Sequence, residues 1–449
     1  MVPVPAPATS GEVAPSHEGT VGSSPAGTAA RSAARLRCED LVQATPSPVA
    51  IPQRAAGQEA ILVALDGRTG PVSAAQAASL ESQLRACFPG RTARVLLVAP
   101  GSPVALVGPA ASGAAPGEPP ARSAGLGPAE SALGALLAEG DRQGSATLAM
   151  LVAGERDERE DALRLLFEPV LGGALDYVCP IYPRGKLDGM LNTAIVYPLH
   201  RALFGRGLRQ PAGGEAVLGL ALARELIADR DWRRDPVHAG SDAWLVAKVL
   251  SGNARVGQAW LGAWPLKEEP VAHEDASHLL ARVVGPVFHE VDRHAARWQR
   301  VERFERLPTL GHPRALEDAP GRASAEAPAA AFRLGLRELG KVWGLVLPPA
   351  TLLELKRAAA APDEAFQLDD GLWARVVYDF ALAYATRAVE RGLLLRSMTP
   401  LYLGFVAGFV NRTRALDGAG TEDRIEALCG AFEGEKRYAI ARWRWPDHF

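Results

Sequence analysis

The sequence predicts an α/β layer built on a mostly parallel sheet, followed by an α-helical C-terminal domain. Two observations carry this prediction. From residue 59 to about residue 260, short apolar runs of strand length alternate with amphipathic runs of helical length, as strands joined by crossover helices do. Beyond about residue 272 the strand-like runs stop, and apolar residues recur at helical spacing. The chain therefore divides into a tail over residues 1–55, an α/β domain over 56–272 and a helical domain over 273–449.

Residues 1–55 are rich in Pro, Ala, Ser and Gly. Such a segment buries too little surface to offset its ordering entropy and reads as disordered. Glu59–Leu65 is the first strand, followed by a helix over Ser73–Cys87 with Ala77, Leu80 and Leu84 on one face, and a strand over Arg94–Ala99. Pro100–Pro128 lacks periodicity and is a long loop for a compact domain. A helix over Ala129–Glu139, a strand over Ala146–Ala153 and a helix over Asp157–Leu171 continue the alternation, the last with an acidic first turn that suits the helix dipole. Asp176–Pro180 is a further strand, Glu215–Asp229 and Asp242–Leu250 are helices, and Arg255–Trp260 is a strand. The helical patterns that follow cover Ser277–Phe304, Ala329–Trp343, Leu352–Ala359, Trp373–Arg391, Pro400–Asn411 and Thr421–Trp443. Ligands of such sheets gather at the carboxyl ends of strands, which singles out the loops Asp66–Gly70, Pro100–Pro103 and Gly154–Arg156.

With 449 residues and a net charge of −2, the chain has length enough for two or three domains and no electrostatic case for nucleic acid or an acidic membrane. Only six of its 49 basic residues are Lys, so scattered Arg carries little information. Four separated cysteines, Cys38, Cys87, Cys179 and Cys429, exclude a Cys-rich zinc site and a secreted disulfide scaffold. The first residues show no basic or apolar signal region. No run reaches the apolar length that spans a bilayer, Leu401–Val410 being about half of it. The expectation is a soluble, cytoplasmic protein, with self-association into a homo-oligomer left open.

Asp176–Glu215 concentrates the polar chemistry. After its strand comes the knot Tyr182-Pro183-Arg184-Gly185-Lys186-Leu187-Asp188, then apolar Leu187, Leu191, Ala194, Ile195 and Leu199 at helical spacing. A helix starting near Gly185 puts Asp188 and Asn192 on its other face, with Arg184 at its mouth. The segment closes on a Gly213-Gly214 turn and Glu215. A cation, two acids and an amide at the ends of elements make a polar pocket; the same residues also fit a solvated helix face.

The run Lys186-Leu187-Asp188-Gly189…Asn192-Thr193…Tyr197-Pro198-Leu199…Arg201-Ala202-Leu203-Phe204-Gly205…Arg209-Gln210-Pro211…Gly213-Gly214-Glu215 resembles the central motif of bacterial GT-A glycosyltransferases, the group of mannosylglycerate, glucosylglycerate and glucosyl-3-phosphoglycerate synthases. The block Leu395–Gly404, with Glu435-Lys436-Arg437-Tyr438 and Arg442-Trp443, resembles their helical tail. The resemblance implies a Rossmann-like GT-A domain and transfer of a hexose, with retention, from a nucleoside diphosphate sugar to a small hydroxy acid such as glycerate. It implies acceptor binding by Arg184, Asp188, Asn192, Thr193, Gly213 and Gly214, and catalytic roles for Glu215 and Asp242. Donor binding falls to Asp66, Glu155 and Lys186, with Mg2+ or Mn2+ as cofactor. Asp242 equally suits an N-cap for the helix that follows.

The departures lie in the donor half. Where the group has an Asp-x-Asp metal motif, this chain reads Ala153-Gly154-Glu155, leaving Glu155 as the one metal-ligating carboxylate; a hard divalent cation wants several oxygen ligands. Leu266 stands near the group's His ligand, and the glycine loop Gly125–Glu130 has no Lys. Two readings follow: a transferase in which Arg156, Arg184, Lys186 or Lys267 replaces the metal's charge, or an inactive homologue that acts as a binding or regulatory protein.

Overall fold

The computed structural model describes residues 60–66, 72–98, 106–107, 131–152, 160–235, 238–262, 273–313 and 324–445. The predicted tail, most of the Pro100–Pro128 loop and Glu155 lie outside them. The apolar runs at Ile61–Asp66 (β1), Thr147–Val152 (β4) and Tyr177–Ile181 (β5) are buried at every residue, as befits strands covered on both faces. With Ala93–Val98 (β2), Leu106–Val107 (β3), Ala216–Gly219 (β6), Val256–Trp260 (β7) and Thr309–Leu310 (β8) they form one sheet in the order β3-β2-β1-β4-β6-β5-β7-β8. β1 runs parallel to β2 and β4, and β5 and β8 run parallel to β7, whereas β6 is antiparallel to both of its neighbours and β3 to β2. The protein is thus α/β with a mixed, mostly parallel sheet.

Local chemistry explains several boundaries. Ser73 caps helix Ala74–Cys87 with a capping box: its hydroxyl accepts from the Gln76 N–H, and the Gln76 side chain accepts from the Ser73 N–H. Ser131 caps Ala132–Gln143, and Gly144 ends it in the left-handed region.

Three expectations need correction. Glu215–Asp229 is not one helix: Ala216–Gly219 is the antiparallel strand β6, and the helix is Leu220–Ile227. The apolar run Ala-Val-Leu serves either state, and pairing with β4 and β5 on both sides decides it. Ser277–Phe304 is not continuous either. It runs as His273–Leu279, a π-helical turn Leu280–Val284, Gly285–Arg293 and Ala295–Trp298, after which the chain returns to the sheet as β8. The helix read as Pro400–Asn411 spans Arg391–Thr413 with Pro400 inside it. It is long and apolar enough to cross a membrane by length and composition, and 89% of its apolar window is buried inside the protein.

The described residues all fall in one unit, and an apolar cluster joins sheet residues such as Leu62, Leu148 and Leu218 to Trp373, Phe405, Leu428 and Phe432 of the C-terminal helices. Trp373 is fully buried, stacks on Phe405 and donates its indole N–H to the Ala194 carbonyl at 2.8 Å. Arg201, in helix Tyr197–Phe204, bonds Glu426 at 2.6 Å and Glu433 at 2.8 Å, both in helix Gly418–Gly434.

Candidate functional site

Two places at the carboxyl ends of strands deserve description, because chain order and sheet order diverge there. From β1 the chain moves outward to β2 and β3, then crosses to β4 on the other side, which makes the β1–β4 boundary the switch point where a ligand crevice is expected. Asp66 and Val152 are the paired last residues of those strands. Glu215, buried just ahead of β6, closes the crevice: its carboxylate accepts the Val152 N–H at 2.8 Å and the Tyr182 O–H at 2.6 Å. Asp66 is buried as well.

The second place is a narrow cleft beyond the ends of β5 and β7, whose last residues Ile181 and Trp260 form part of its wall. The polar knot supplies Arg184, Lys186 and Asp188, and the helix after it supplies Asn192 and Thr193. That helix begins at Met190, later than the spacing suggested, and widens into a π-helical turn over Asn192–Val196 before Tyr197–Phe204. Asp188 therefore sits in a turn, its carboxylate accepting the Gly185 N–H at 2.8 Å. Gly189 has φ +64°, and a Cβ there would collide with Nη1 of Arg184. The positive φ favours glycine here, and an added methyl would push the Arg184 guanidinium aside.

Asn192 is buried rather than on a solvated face. Its Nδ2 donates to the Arg209 carbonyl at 2.8 Å, while Oδ1 is buried with no hydrogen-bond partner among the described residues. A buried orphan acceptor is costly unless a ligand or water supplies a donor. Lys186 reaches across the cleft and donates to the Leu416 carbonyl.

The far wall was not assigned from sequence. Arg209 and Gln210 come from the loop after Tyr197–Phe204, and Thr421 and Glu422 from helix Gly418–Gly434. Gln210 clamps the Tyr182 backbone in both directions, accepting its N–H at 3.2 Å and donating to its carbonyl at 2.7 Å. Arg209 pairs with Glu422 at 3.0 Å and lies over the Tyr197 ring at 5.1 Å. Burial works against the Arg209 charge, and Glu422 opposite more than restores it, so its pKa lies above the usual Arg value. Among the described residues, three cations, Arg184, Lys186 and Arg209, and two carboxylates, Asp188 and Glu422, line the cleft. The pairing of Arg209-Gln210 in the sequence motif was the available signal; nothing local marked Glu422, which arrives from more than 200 residues away.

The remaining predicted residues lie elsewhere. Gly213 and Gly214 form the exposed to half-buried turn before Glu215 and do not line the cleft. Asp242 is the first residue of helix Asp242–Ser251, but the cap is Ser241, whose hydroxyl accepts the Trp244 N–H at 3.2 Å. Tyr182 belongs to both places, lining the cleft and bonding Glu215.

For a divalent cation in the β1–β4 crevice, both Glu215 oxygens are engaged by the Val152 N–H and the Tyr182 O–H. Among the described residues, the group of three ligand-type side chains close enough to share an ion is Asp235, His238 and His289, which is not the Asp66–Glu215 pair. The described crevice residues alone do not make an Mg2+ or Mn2+ site. The chain matches no known protein-family model and no curated protein.

Proposed function

We propose that the protein is a GT-A-type glycosyltransferase that passes a hexose from a nucleoside diphosphate sugar to a small hydroxy acid such as glycerate, with retention. One observation carries this reading: Arg184, Asp188, Asn192 and Thr193, matched to the acceptor-side motif, line a single cleft at strand carboxyl ends together with Lys186, the cation assigned to the donor. A guanidinium grips a carboxylate bidentately, which is the role given to Arg184. A hydroxyl of the same acceptor would satisfy Asn192 Oδ1. Tyr182 and Glu215 form the wall shared with the β1–β4 crevice, where the nucleotide would lie against Asp66. The departing diphosphate gains negative charge, and cationic side chains of the cleft such as Arg184 and Lys186 would stabilise it. No step is routed through a metal.

A second reading, a catalytically inactive homologue acting as a binding or regulatory protein, draws on Ala153 and Leu266, which stand where the resembled group has metal ligands. A thermal-shift screen of nucleotide sugars with Mg2+, Mn2+ or chelator separates the two. A ligand at a hundred times its Kd stabilises by about 2.7 kcal/mol. A shift that survives chelator supports the cationic transferase, a metal-dependent shift brings residues outside the described set into the donor site, and no shift with any nucleotide sugar favours the inactive homologue.

A further inference from the structure

Away from the cleft, the turn after helix Asp231–Arg234 meets helix Gly285–Arg293. Asp235, His238 and His289 come together there, each offering one ligand atom, all within 4.8 Å of one another. His289 Nε2 lies 2.7 Å from Asp235 Oδ2, and the rings of His238 and His289 stack at 4.0 Å. Neither His289 nitrogen makes an aligned hydrogen bond among the described residues, though both are buried. Next in sequence, Glu290 is 1% exposed, and neither of its carboxylate oxygens has a hydrogen-bond partner among the described residues. Its nearest ionic neighbour is His294 Nε2 at 3.5 Å.

Among the described residues, Asp229, Asp231, Asp235 and Glu290 lie near Lys248, Arg293 and Arg391. Arg293 touches Asp235 at 3.3 Å but is also held by Asp231, so it does not satisfy the group alone. A carboxylate and two imidazoles this close, with both His289 nitrogens buried and without an aligned partner among the described residues, are a setting in which a bound cation is stabilising.

We propose that Asp235, His238 and His289 bind one divalent transition cation of the Zn2+ class, which ties the turn ahead of helix Asp242–Ser251 to helix Gly285–Arg293. Two imidazoles and a carboxylate suit Zn2+ and its neighbours, whereas Mg2+ and Ca2+ want all-oxygen shells. Tetrahedral coordination needs ligand atoms about 3.4 Å apart, so these atoms are near enough to share one ion once the stacked imidazole rings splay to aim both lone pairs at it. The site is independent of the sugar-transfer reading, because its test uses metal alone.

The test uses the full-length chain without an affinity tag, stripped by chelator and titrated with Zn2+ against a chromophoric chelator, and with Co2+ by visible absorption. One equivalent of Zn2+ should bind, and Co2+ should show the bands of a low-coordinate nitrogen–oxygen site. His238→Asn and His289→Asn should each weaken Zn2+ binding by about a hundredfold or more, while His312→Asn, at an exposed position, should not. If His289→Asn misfolds by circular dichroism, His238→Asn, on a half-exposed turn, decides with the Co2+ spectrum. The absence of saturable Zn2+ binding, or wild-type affinity in His238→Asn, overturns the proposal.

Discussion

Arg209 and Glu422 meet across the cleft, Nη2 to Oε1 at 3.0 Å, one from the α/β layer and the other from a C-terminal helix. The Glu422 side chain is 38% exposed and Arg209 only 16%, so solvent screens the pair from one side. Glu422→Gln should therefore cost about 1 kcal/mol or less in urea unfolding. Arg209→Ala should cost more, about 2 kcal/mol, because it also removes the cation from the Tyr197 ring. With its partner neutralised, Arg209 is left for an incoming anion, and Glu422→Gln should bind hydroxy acids more tightly. Weaker binding in that variant would show that Glu422 itself contacts the ligand.

Arg184 is the residue on which acceptor recognition turns. Hydrogen bonds to charged groups contribute about 1.5–3 kcal/mol, so Arg184→Ala should weaken glycerate binding by roughly 10- to 150-fold in calorimetry. Equal affinities in variant and wild type would remove Arg184 from the acceptor site.

Gly189→Ala tests the same site through the backbone. The positive φ and the closeness of the Arg184 guanidinium predict a loss of about 1–3 kcal/mol in stability together with weakened acceptor binding. A variant that loses stability but binds glycerate normally would show that the turn does not set the Arg184 position.

His200 gives the protein an acid sensitivity. It is fully buried, neither ring nitrogen has a partner among the described residues, and burial pushes its pKa down to about 4 from 6.5. Below about pH 6.5 the unfolded chain takes a proton that the folded chain refuses, so this contribution is complete above that pH and is lost as pH falls through about 4. The loss is on the order of 3 kcal/mol. His200→Leu should flatten the stability profile between pH 6.5 and 4; an unchanged slope would assign the acid sensitivity to other groups.

Much of the layer was legible in the sequence because its strands are short, apolar and set between helices. Ile61–Asp66, Ala93–Val98, Thr147–Val152 and Val256–Trp260 fall within a residue or two of their expected places. β6 was not, because Ala216–Gly219 has no alternation, and only its neighbours β4 and β5 make it a strand. β8 is two residues long and follows a helical pattern, so nothing local announces it. In the cleft, Arg184, Asp188, Asn192 and Thr193 stood in one readable run. Glu422 did not, since its place depends on helix Gly418–Gly434 folding back onto Tyr197–Phe204. Asp235, His238 and His289 escaped for the same reason: two lie in a turn, and the third is 51 residues further on from His238.

The most direct measurement is nucleoside diphosphate release from a panel of nucleoside diphosphate sugars, with and without glycerate, by wild type and Arg184→Ala. The transferase reading predicts release from at least one donor that rises with glycerate and gives a glycosylated acid, and that falls by at least about tenfold in Arg184→Ala. Donor binding with no release under any acceptor or metal condition, or release indifferent to Arg184, would contradict it.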